Sequence, residues 1–142
     1  MRYLTESEKR KELRYWETDD CADPGVRPMM ARLNALDGVC TVQSCIGHVQ
    51  EQHADGSRYI LNGHVEMRLD AQRTQQFYDG MGRLRALPGV DDVMICWRPP
   101  YQVCNVWFQP GGMPEVVDML VEILAPSPAK DEGATEGATL CA

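Results

Sequence analysis

The stretch Arg58-Tyr59-Ile60-Leu61-Asn62-Gly63-His64-Val65-Glu66-Met67-Arg68-Leu69-Asp70 decides the fold class. Val65, Met67 and Leu69 alternate with His64, Glu66 and Arg68, the period of two that a half-buried strand requires. Arg58 to Leu69 therefore reads as one long strand, with Gly63 marking a bulge or a close approach. Asp70 is a good N-cap, and Ala71 to about Ala86 reads as a helix with Phe77, Met81 and Leu84 on its inner face. Gly80 and Gly82 each weaken that helix by roughly 1 kcal/mol relative to Ala, unless they permit close packing.

Working outward, Val90 to Arg98 and Tyr101 to Gln109 read as two antiparallel strands joined at Pro99-Pro100. A last helix follows, with Met113, Val117, Leu120, Val121 and Leu124 on one face. Upstream, Thr5-Glu6-Ser7-Glu8 reads as a capping box opening a charged helix to about Trp16. Val26, Met29, Met30, Leu33 and Leu36 repeat at helical spacing, and Asp37-Gly38 stops that helix. Val39 to Gln43 reads as a short strand, and Asp55-Gly56 as a turn. The order is α-α-β-β-α-β-β-α. The expected class is α+β: a mainly antiparallel sheet from two strand–strand–helix units, preceded by two helices, with helices on one face. Residues 1–125 form the single domain, and 126–142, without apolar period, read as a disordered tail.

The chain has 142 residues and a formal net charge of −7. That charge works against non-specific attraction to nucleic acid or anionic membrane. The N-terminal residues carry no apolar signal segment, and no apolar run reaches the ~20 residues of a spanning helix. The expected compartment is the cytoplasm. Six cysteines, at 21, 40, 45, 96, 104 and 141, then read as thiols rather than structural disulfides. Patterns for phosphate-binding loops, serine hydrolases and zincins are absent from the sequence.

The densest chemistry lies in Leu33-Asn34-Ala35-Leu36-Asp37-Gly38-Val39-Cys40-Thr41-Val42-Gln43-Ser44-Cys45-Ile46-Gly47-His48. A turn of small residues exposes backbone N–H groups that can hold an anionic group, and Cys45 near His48 can form a thiolate–imidazolium pair. The same residues also suit a tight turn after a buried strand. Cys40, Cys45, His48, His53 and His64 are possible metal ligands, although their spacing is not a common zinc spacing and no residue is assigned to a metal. His64, Glu66 and Arg68 share one strand face. They form either a solvated surface or a polar ligand floor with His64 as acid or base. Trp97-Arg98-Pro99-Pro100-Tyr101 is either a stacking surface for a base or core followed by a turn.

Leu33-Asn34-x-Leu36, the short strand and Thr41-x-x-Ser44-Cys45-x-Gly47 resemble the signature of the tRNA wybutosine-synthesising methyltransferases, in which a Leu-Asn helix leads to Thr-Thr-Ser-Ser-Cys-Ser-Gly-Arg. Ile46 stands where that family has Ser, and His48 where it has Arg. The resemblance covers about twenty residues, with Asn62 to Leu69 and the strands around Trp97 and Trp107 fitting the general layout. It implies an α/β-type domain that uses S-adenosylmethionine to methylate a guanine derivative in tRNA. It further implies that Thr41, Ser44, Cys45 and Gly47 contact the cofactor, with His48 or His64 as base. A non-enzymatic small-ligand-binding or self-assembling domain, or a Cys/His metal-binding protein, is the alternative.

Overall fold

The computed structural model describes residues 2–18, 25–50, 54–57 and 59–126. The tail expected beyond 126, together with Cys21, His53 and Cys141, lies outside the described residues. The elements are α1 (Glu6–Thr18), α2 (Arg27–Asn34), β1 (Val39–Cys45), β2 (His48–Gln50), β3 (Tyr59–Leu61), β4 (Gly63–Leu69), α3 (Ala71–Arg85), β5 (Val90–Arg98), β6 (Tyr101–Phe108) and α4 (Met113–Leu124). β1, β4, β6 and β5 pair in that order, all antiparallel, and β2 pairs with β3 in a separate ribbon. The expected α+β architecture with two strand–strand–helix units is therefore present, with an additional ribbon.

The ribbon comes from a break in the strand expected over 58–69. The break falls at Asn62, and Gly63 opens β4 opposite Phe108, where a β-carbon would collide with the Phe108 ring and the Cys45 carbonyl. The absent side chain lets β4 pack tightly there, and the chain changes partner across Asn62: β3 pairs with β2 and β4 joins the main sheet. β1 runs two residues past Gln43 to Cys45, with a bulge between Thr41 and Gln43.

The alternation in β4 separates two faces. Val65, Met67 and Leu69 join Val93, Cys104, Val106 and Phe108 in one core, against Met30 and Leu33 of α2, Phe77 and Leu84 of α3, and Val117, Leu120 and Leu124 of α4. Burying side chains of this size contributes about 1.5–3 kcal/mol each. α1 departs from the expectation that the helices share one face. Its Glu8 reaches Arg68, which points to the opposite face, and its Trp16 indole donates to the Thr41 carbonyl at 2.9 Å. α1 thus covers the edge strand β1 and the adjoining end of the second face, which keeps that edge from pairing with other chains.

Three local devices fix the helices. The capping box forms as read: the Glu8 amide donates to Thr5 Oγ1 and the Thr5 amide to Glu8 Oε2. The Asp70 carboxylate accepts from the Arg73 amide at 2.7 Å at the start of α3. Gly80 lies where α3 meets α4, and a β-carbon there would crowd Ile123, whereas Gly82 faces open space.

Candidate functional site on the second sheet face

Register determines which polar side chains meet. Cys45 pairs with His64, Glu66 with Asn105, and His64 with Trp107. Directly opposed residues share a face, so Cys45, His64, Glu66, Asn105 and Trp107 form one group opposite the core. Arg68, two residues beyond Glu66, shares this face by the same alternation.

The group is not a solvated surface. Glu66 and Arg68 are only 3% and 5% exposed, and Asn105 is 4% exposed. Buried charges must be paired, and these are. Arg68 donates to Glu8 at 3.0 Å, and its guanidinium carbon lies 3.7 Å from the Tyr101 ring centroid. Arg98 Nη1 lies 2.9 Å from Glu66 Oε1. Arg98 belongs to edge strand β5 and Glu66 to β4, so its side chain spans the intervening β6 to make this pair. Its own side chain remains 57% exposed. Two buried polar atoms on this face have no hydrogen-bond partner among the described residues: Asn105 Oδ1 and Arg68 Nε.

The His64 imidazole stacks on the Trp107 indole, with centroids 4.6 Å apart and a 34° tilt. Burial is the main cause that pushes its pKa below the ordinary 6.5. Glu66 opposes that shift and Arg98 reinforces it. His64 is therefore neutral at pH 7 and can accept a proton. Burial also pushes the thiol of Cys40 up to about 11 and that of Cys104 up to about 12, so both are inert protonated thiols at neutral pH.

The residues of the Thr41–His48 segment separate. Thr41 is fully buried; its amide donates to Asn34 Oδ1 at 2.8 Å and its hydroxyl accepts from Asn34 Nδ2 at 2.9 Å. This clamp satisfies the strand backbone at the bulge. Ser44 pairs with Val65 on the core side, and its buried hydroxyl has no partner among the described residues. Cys45 is half-buried beside His64. Gly47 has φ +85, and a β-carbon there would meet the Gly63 amide at 2.8 Å and the Pro110 backbone at 3.2 Å. His48 is exposed on the ribbon, opposite Leu61. Of the two histidines expected as bases, the structure brings His64 to Cys45 and places His48 on a different sheet. Among the described residues no group of three or more His, Cys, Asp or Glu side chains is arranged to hold a metal ion.

Sequence reasoning does not single out Asn105 or Trp107. The signal is the alternation Tyr101, Val103, Asn105, Trp107 along β6, which puts an amide and an indole on the face opposite Cys104, Val106 and Phe108. Their meeting with His64 and Glu66 depends on register, which the sequence does not encode locally.

Trp97 is 56% exposed beside a hollow of about 370 Å³ lined by Ile95, Cys96, Trp97 and Gln102. No described helix is long and apolar enough to cross a membrane. No protein-family model, curated protein or solved structure matches this chain.

Proposed function

We propose that the second sheet face binds a small planar ligand beside Cys45 and His64. We further propose that the chain acts there as a methyltransferase-like protein of the kind its Ser-Cys-x-Gly segment resembles. The observation that carries this reading is the direct pairing of Cys45 with His64, which joins the suspected turn to a neutral imidazole stacked on an indole. S-adenosylmethionine, the cofactor that the resemblance implies, supplies an electrophilic methyl group when bound. Cys45 is the residue of this segment that would face it beside His64, while Ser44, whose buried hydroxyl lies on the core side of β1, would act only by holding the strand end in place. Gly47 would shape the turn that follows β1, and Thr41 would anchor β1 to α2 through Asn34. Trp107 would orient an acceptor heterocycle by stacking, and His64 would take the proton that the acceptor loses. Under this reading the acceptor is a base of tRNA and the compartment is the cytoplasm.

Calorimetric titration with S-adenosylmethionine tests the proposal. Saturable binding should be weakened about tenfold or more by Cys45→Ala and much less by Ser44→Ala, whose hydroxyl lies on the core side. His64→Gln should retain binding and slow methyl transfer about a hundredfold or more. A folded protein that binds no S-adenosylmethionine contradicts the reading.

A second reading is a non-enzymatic assembly module. Val49 and Ile60 face each other on the β2–β3 ribbon and are 57% and 56% exposed, an apolar pair open to solvent. Sedimentation of the full chain separates the readings: reversible self-association lost in Val49→Lys supports the module, and a monomer at high concentration removes it.

A further inference from the structure

The charge arrangement around Glu66 goes further and names a ligand class, resting on the reading of this face as a ligand site. Glu66 is a carboxylate 3% exposed, and such a group keeps its charge only beside a cation. The cation here is Arg98, which reaches it from two strands away while more than half exposed. The exposed Arg98 guanidinium can be exchanged for another cation, whereas the buried Glu66 carboxylate cannot be left without one. Arg68 is not the alternative, because it is committed to Glu8 and Tyr101.

Asn105 Oδ1, on the residue opposite Glu66, is buried and lacks a donor among the described residues. Two acceptors thus lie side by side, and Arg98 serves one of them. A planar cation with two parallel N–H groups matches two neighbouring acceptors better than a single contact does. The Trp107 indole lies two residues along the same face, stacked on His64. Replacing one guanidinium with another group of the same charge leaves the local charge balance unchanged. The net charge of −7 favours the approach of a cation.

We infer that this face takes a ligand bearing a planar amidinium or guanidinium group, seated on Glu66 and Asn105 in place of Arg98. Arg98 is then a self-ligand that holds the site closed until displaced.

Benzamidine, benzylamine and benzoate, titrated separately into the full chain by calorimetry, test this. Benzamidine should bind saturably, benzylamine about tenfold more weakly, and benzoate not at all. Arg98→Ala should tighten benzamidine about fivefold by removing the competitor, the reverse of what a merely structural arginine would give. Glu66→Gln should weaken it more than about tenfold. Should that variant not fold, Asn105→Leu gives the same reading, with a loss of about tenfold expected. Benzoate binding more tightly than benzamidine, weaker benzamidine binding in Arg98→Ala, or no benzamidine binding to either protein overturns the inference. Benzamidine binding without any S-adenosylmethionine binding supports it and removes methyl transfer. The opposite result overturns it and leaves methyl transfer standing.

Discussion

His64 carries a charge state that the fold sets. Its pKa is held below 6.5, mainly by burial against Trp107, so the unfolded chain takes up the proton first as the pH falls. Stability should be unaffected by this group above pH 6.5 and decline from there toward the folded pKa. Urea midpoints at pH 7.5 and 5.5 should therefore fall further in the wild type than in His64→Gln. Asn34 is the structural counterpart. It makes two hydrogen bonds to Thr41, so Asn34→Ala leaves a buried amide and hydroxyl unserved and should cost about 2–4 kcal/mol in denaturant unfolding. The residues of the Ser44–His48 turn were legible as unusual from their types alone. Their separation was not, because a bulge at Thr41/Gln43 resets which side chain faces which side. Alternation could place Glu66 on a polar face. It could not show that Arg98 closes over it, since that contact joins strands far apart in the chain.

Among the elements, α3 offers the cleanest test. Gly80 and Gly82 are equivalent in propensity, yet one touches Ile123 and the other faces open space. Gly82→Ala should stabilise the protein by roughly 0.5–1 kcal/mol, while Gly80→Ala should destabilise it by about 1–3 kcal/mol through overpacking. Thermal unfolding midpoints of the two variants, moving in opposite directions, check both. Most elements were legible: the capping box, the Asp70 cap, the alternation in β4 and the two C-terminal strands all follow local rules. The division of the long strand at Asn62 was not, because β3 and β4 take different partners, β2 and β6, that lie far apart in the chain. The position of α1 was also hidden. Its sparse apolar residues left its partner undetermined, and the Glu8–Arg68 ion pair together with the Trp16 bond to Thr41 sets it instead.

At the scale of the molecule, the sheet divides the labour between its faces. One is an apolar core under α2, α3 and α4, and the other holds buried charges, an imidazole–indole stack and two polar atoms without a hydrogen-bond partner among the described residues. Arg68 serves the fold by holding α1 through Glu8, and the proposed binding role rests on Glu66, His64, Asn105 and Trp107. The most direct test of that claim is to follow the Trp107 indole and His64 imidazole resonances by NMR as S-adenosylmethionine and benzamidine are titrated into the protein. The account predicts saturable shifts at both side chains with at least one of the two compounds, while His48 on the ribbon stays unmoved. Unchanged Trp107 and His64 signals with both compounds, or shifts confined to the ribbon, would contradict it.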